Sequence, residues 1–224
     1  MNEIFRQYHN RHQHGTCFLL GTGPSLRKFN ISDVKEYTKD SILIGVNEIV
    51  HYDVPMDYFF IGDAGNKTKG FNSRPTDYIE YKPNIAKFFR SNRQIAQHIP
   101  QLPQYIEGVD YYTTTGWTFR HPLYRNEPMD FNKDITTGLA DSGTIILEAL
   151  QFALYTGAST IYLVGCDCDY SNGTFNTSSH IDHSLKAFML QGWVKIKKFI
   201  DSVYPDVDVI SINPVGLSEI FDKY

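Results

Sequence analysis

Six short apolar runs, at 16–20, 42–46, 58–61, 86–89, 161–164 and 207–212, recur along the 224-residue chain, each bounded by turn-forming residues. Runs of this length with little polar alternation are what strands look like when both their faces are covered. They predict a mostly parallel α/β sheet with helices on both faces and right-handed crossovers. Two stretches have helical periodicity. "SLKAFMLQGWVKIKKFIDSVY" puts Leu185, Phe188, Met189, Trp193, Ile196, Phe199, Ile200 and Val203 on one stripe, with Ser184 as its expected N-cap. "DSGTIILEALQFALYTGA" is apolar nearly all round, offers Asp141 and Ser142 as caps and stops at Gly157, so it predicts a buried helix feeding the 161–164 strand.

A hydrophobic share of 42% supplies one substantial core, and the expectation is a single domain over 1–224. The stretches 64–83 and 113–137 carry neither period. Loops that long in a compact domain are commonly functional, which makes them a candidate rim and lid, with plain surface loops as the alternative. The net charge of −4 offers a polyanion no general attraction, so nucleic acid is not an expected partner. The N-terminus lacks an apolar export segment and no run approaches the ~20 apolar residues of a membrane helix, so the expected location is the cytoplasm. Cys17, Cys166 and Cys168 are odd in number and fall on strands or strand ends, as core thiols do.

Where the first run ends, the chain reads Gly21-Thr22-Gly23-Pro24-Ser25 and continues in a polar, helix-like pattern. Open α/β sheets hold ligands at the carboxyl ends of their strands, and glycines followed by helix amides favour a phosphate there. An ordinary turn explains the same residues. Neither the dinucleotide nor the P-loop glycine pattern is present. Other strand ends carry Asn47, Asp63, Asp167 and Asp169, so polar side chains collect at one edge of the predicted sheet. Asp167 and Asp169 could hold magnesium or manganese only if the chain bends between them, since alternate residues of a strand point to opposite faces. His180, Asp182 and His183 precede the amphipathic helix, and a histidine at a helix start is kept neutral, as a general base requires.

In this order the segments resemble the bacterial sialyltransferases of glycosyltransferase family 42 and, more loosely, pterin pyrophosphokinase-like nucleotide-binding proteins. The resemblance rests on "LLGTGPSLRKF", Asn47, Asp63, "DSGTIILEALQFALYTGASTIYLVGCDCDYSNG", "HIDHS" and "SINPVGLSEIF". It implies a single Rossmann-like domain that binds a CMP-activated sugar without a metal and inverts the anomeric centre on transfer. Gly21, Thr22, Gly23 and Ser25 would surround phosphate and ribose, and Asn47 and Asp63 would contact the nucleotide or donor. Ser142 and Gly143 would line the sugar side, and Asp167 would shape the nucleotide pocket. Tyr170 would bind the leaving phosphate and His183 would be the general base. A glycan or glycolipid acceptor follows, which brings lipopolysaccharide biosynthesis and peripheral membrane attachment into the expectation. Two alternatives stay open. One is a magnesium-dependent phosphoryl, pyrophosphoryl or diphosphate-sugar transferase using Asp167 and Asp169, and the other is a non-catalytic nucleotide- or glycan-binding protein.

Overall fold

The structure, a computed structural model, describes residues 2–34, 36–52, 54–62, 84–90, 108–115, 130–169 and 186–223. All six predicted runs are strands: β1 (Thr16–Leu20), β2 (Ile42–Val46), β3 (Tyr58–Ile61), β4 (Ala86–Arg90), β8 (Thr160–Val164) and β9 (Asp208–Ile212). Two short additions, β5 (Asp110–Tyr112) and β10 (Asp222–Lys223), complete an eight-stranded sheet in the order β10-β9-β8-β1-β2-β3-β4-β5. Every pairing in it is parallel. The chain thus starts in the middle, winds out to β5, and returns to the far side of β1 as β8. The order reverses between β1 and β8, whose last residues Leu20 and Val164 lie in register.

Successive side chains sort the core into two layers, as a strand's twofold alternation requires. Cys17, Leu19, Ile44, Phe60, Phe88 and Leu163 face a layer containing helices α1 (Ile145–Tyr155) and α2 (Lys186–Val203). Phe18, Leu20, Leu43, Phe59, Phe89 and Val164 face a layer closed by Leu26, Ile31 and Ile49. Helical cover is therefore present on both faces, but among the described residues the second is covered by 3-10 turns at Pro24–Lys28, Ile31–Asp33 and Asn47–His51. The helix-like pattern after the glycine turn is realised as the first two of these, because five residues between Pro24 and an extended Phe29 are too few to sustain an α-helical nucleus.

All of α1 is buried, and it ends as expected, with Gly157 at φ +88°. Its N-cap is Thr144, however, and not Asp141 or Ser142, because Gly143 at φ +80° delays the helical turn and the Asp141 carboxylate is used elsewhere. On α2, Phe188, Met189, Trp193, Ile196 and Ile200 are buried, worth about 1.5–3 kcal/mol each for a side chain of this size, while Lys195 and Lys197 pair with Asp130 and Asp201. The proposed cap Ser184 lies outside the described residues.

The described ends of the 113–137 stretch are not irregular rim. β6 (Thr114–Thr115) pairs with β7 (Leu139–Ala140), and Ile135–Thr137 forms a 3-10 turn. Both ends are tied to the start of the chain: the Asn2 side chain donates to the Thr113 carbonyl at 2.8 Å and accepts from its amide at 2.7 Å, while the Asn2 amide donates to the Thr136 carbonyl. Residues 116–129 and the whole of 64–83 lie outside the described part. Among the described residues no helix is long and apolar enough to cross a membrane.

Candidate functional site at the carboxyl edge

At the reversal point the loops after β1 and β8 clasp each other. The Gly21 amide donates to the Val164 carbonyl at 2.8 Å and the Gly23 amide to the Gly165 carbonyl at 2.7 Å. The Ser25 amide donates to Asp167 Oδ2 at 2.8 Å, and the Ser25 hydroxyl donates to Asp167 Oδ1. A Cβ on Gly23 would stand 2.5 Å from Asp167 Cγ, and one on Gly21 would stand 2.6 Å from the Gly165 carbonyl oxygen. The glycines are thus required by loop-to-loop contact. The amides of Gly21, Gly23 and Ser25 are all bonded within the protein, and the five-residue turn that follows has little dipole to offer an anion. Thr22, between the two glycines, is half-buried.

Burial raises the Asp167 carboxyl above its usual range, against the lowering effect of the Ser25 bonds, and the nearby Asp169 charge adds to the rise. The chain does bend between the two aspartates, with Cys168 at φ +48°. Both carboxylates have partners, however, since Asp169 Oδ2 accepts from Lys186 Nζ at 3.0 Å while both Asp167 oxygens accept from Ser25. As held here the pair does not fit a shared magnesium or manganese ion. Among the described residues no three His, Cys, Asp or Glu side chains gather as a metal site would need. Cys17, Cys166 and Cys168 are buried free thiols, and desolvation pushes all three up, Cys168 to about 12.

Further along the edge, Asn47 at φ +46° follows β2 and its Oδ1 accepts from the Gly62 amide after β3 at 2.9 Å, which leaves its NH₂ as a donor. Arg90, closing β4, lies against Gly62 and reaches Asp141. Asp141 Oδ1 accepts from the Gly143 amide at 2.9 Å. Ser142 is fully buried beside Gly192 of α2, and its hydroxyl has no hydrogen-bond partner. The structure therefore brings Gly21, Gly23, Ser25 and Asp167 together at one reversal point. It sets Asn47 at the neighbouring strand end and Ser142 and Gly143 at the start of α1. Asp63, Tyr170, His180, Asp182 and His183 lie outside the described residues. Arg90, Glu148 and Tyr112 were not singled out from sequence; the signal was a charged residue closing the apolar "AKFFR" run and a glutamate inside an apolar helix.

The fold and this edge define an open, parallel α/β protein with its polar residues at the topological switch point, where such folds hold ligands. The profile of the family described as 6-hydroxymethylpterin diphosphokinase MptE-like matches residues 1–173, and the chain belongs to that MptE-like family. Among solved structures it is similar to the sialyltransferase CstII from Campylobacter jejuni in complex with cytidine-5'-monophosphate. That match has 14% identity, covers 94% of this chain and 85% of that one, and has a TM-score of 0.51. A structure of a CST-II variant with CMP matches at 12% identity over 93% and 86% of the two chains, TM-score 0.54. One with a trisaccharide acceptor and CMP matches at 13% over 93% and 85%, TM-score 0.53. No curated protein matches. At these identities the likeness is one of fold.

Proposed function

We propose that the protein is a nucleotide-sugar-dependent glycosyltransferase that moves a CMP-activated sugar to a glycan or glycolipid hydroxyl. The observation that carries this reading is the clasp of Gly21–Ser25 onto Asp167 at the strand-order reversal, in a fold whose solved relatives are described with CMP. Asp167 and Ser25 hold the loop beside which the nucleotide lies. Asn47 offers its NH₂ to the nucleotide, Asp63 is assigned a second contact to nucleotide or donor, and the Ser142–Gly143 turn walls the sugar side through its partly exposed Gly143, with Ser142 buried behind it. His183 takes the acceptor proton as the acceptor oxygen bonds to the anomeric carbon; the sugar–phosphate bond breaks, and its electron pair leaves on the phosphate. A well-placed base contributes roughly 10²–10⁴-fold. Because the Gly21, Gly23 and Ser25 amides are committed, stabilising the leaving phosphate falls chiefly to Tyr170 and other side chains. No metal is assigned a step.

The family's diphosphokinase description favours a second reading, magnesium-dependent pyrophosphoryl transfer. It requires Asp167 and Asp169 to leave Ser25 and Lys186. A thermal-shift and calorimetric titration with CMP, UDP, GDP and ATP, each with magnesium and with chelator, separates the two. The expected result is that CMP stabilises the fold equally with and without magnesium, by about 2.7 kcal/mol at a hundredfold excess over Kd, or roughly 5–10 °C for a chain of this size. A shift with ATP and magnesium alone overturns the first reading in favour of the second. Nucleotide binding without turnover of any nucleotide sugar points to a binding protein. Replacing His183 with Ala should leave CMP affinity unchanged and lower turnover by roughly 10²–10⁴-fold; unaltered turnover would remove the base from His183.

A further inference from the structure

Four side chains from four elements meet behind the turn that opens α1. Arg90 Nη1 lies 3.3 Å from Asp141 Oδ2 and 2.9 Å from Glu148 Oε1, and the Tyr112 hydroxyl donates to Glu148 Oε2 at 2.5 Å. The Arg90 side chain is 9% exposed and those of Asp141 and Glu148 at most 1%, while Tyr112 is fully buried. Taking such charges out of water is costly, and apolar residues of similar shape commonly stabilise a fold at least as well. The cluster has a role beyond stability in what Asp141 holds with its other oxygen.

Asp141 Oδ1 binds the Gly143 amide, and Gly143 sits at φ +80° with the Phe188 ring 2.8 Å from where a Cβ would stand. Between them is Ser142, the fully buried residue whose hydroxyl has no partner, a state that ordinarily calls for a functional or structural reason. Behind Arg90, Gly62 leaves the room the guanidinium needs, since a Cβ there would stand 2.5 Å from Nη2. Arg90 thus fixes Asp141, Asp141 fixes Gly143, and Glu148 fixes Arg90 through the oxygen that Tyr112 does not touch. We propose that Arg90 is a positioning residue for the Asp141–Ser142–Gly143 turn and, through it, for the sugar-side wall of the donor site; the second half rests on the function proposed above.

Hydrogen exchange read by mass spectrometry tests the first half without any ligand. The proteins compared are the wild type, Arg90→Lys, Arg90→Gln, and a double variant joining Arg90→Gln to Glu148→Gln, in which loss of the cation is matched by loss of a carboxylate so that folding is spared. In Arg90→Gln and the double variant, amides of the 141–147 peptide should exchange at least about tenfold faster while β1 and β8 peptides keep their protection. Arg90→Lys keeps the charge but not the planar fork and should restore only part of the effect. Tyr112→Phe, which leaves Asp141 untouched, should change that peptide by no more than about twofold. Unchanged exchange in the folded variants overturns the proposal, as does an equal rise across all peptides, which marks general loosening. The donor arm is kinetic: KM for a CMP-sugar should rise about tenfold with kcat within about threefold, because the wall binds and does not react. Faster exchange with unchanged KM overturns the second half. A wild type that turns over no nucleotide sugar overturns the proposed function and leaves the exchange result to decide Arg90.

Discussion

A methyl group added to Gly23 meets Asp167 Cγ and the Gly165 carbonyl at 2.5 and 2.6 Å, well inside any tolerated contact, and the carbonyl is backbone that cannot swing aside. Gly23→Ala should therefore cost about 1–3 kcal/mol by urea denaturation, the usual range for overpacking, and weaken nucleotide binding with it because Asp167 is pushed off Ser25. Asp167 itself predicts a pH dependence. Burial raises its folded pKa above the unfolded 3.8, so the folded chain holds that proton more tightly than the unfolded one. The stability this lends is fully present below 3.8 and is lost as pH rises through the raised value. Asp167→Asn has nothing to titrate there and keeps an oxygen for the Ser25 amide. Comparing unfolding free energies from about pH 3.5 to 7 should show the wild type losing ground to Asp167→Asn as pH rises. Asp130 and Asp134, held below the usual range by Lys195 and by Thr136, contribute in the opposite sense but equally to both proteins. A constant difference across that range would remove the linkage.

At the scale of elements, the 3-10 segment Glu3–Tyr8 is part of the core. Phe5 is fully buried, with its ring centroid 5.1 to 6.3 Å from those of Phe60, Phe88, Tyr112 and Phe152. Phe5→Ala should cost about 3–5 kcal/mol in denaturant unfolding, whereas Arg6→Ala, which breaks only the surface pair with Glu3, should stay within about 0.5 kcal/mol. Losses of similar size in the two variants would show the segment to be a loose appendage. The aromatic spacing of Phe5 and Tyr8 was the one trace of this segment in the sequence, and six residues are too few for a period to stand out. The six longer strands and the two described α-helices were legible because each buries a continuous run or stripe. β5, β6, β7 and β10 were not, since two or three residues carry no pattern.

For the molecule as a whole, strand order is the property that the residues announce least, because it is decided by pairings between distant segments. The gathering of Gly21, Ser25 and Asp167 could be expected from their places at strand ends. That Ser25 would bond Asp167 rather than a phosphate could not, since it depends on β8 returning beside β1. Arg90 was missed for the same reason: its partners lie on α1 and the turn before it, far along the chain. The topology also bears on how the chain comes off the ribosome. Thr16 faces Thr160, so when β5 has emerged the middle strand still has one side bare, with an apolar row and unpaired amides open to other chains. A chain stopped before β8 keeps the strands from β1 to β5 but lacks the whole flank β8-β9-β10, and with it the partner loop of the switch point.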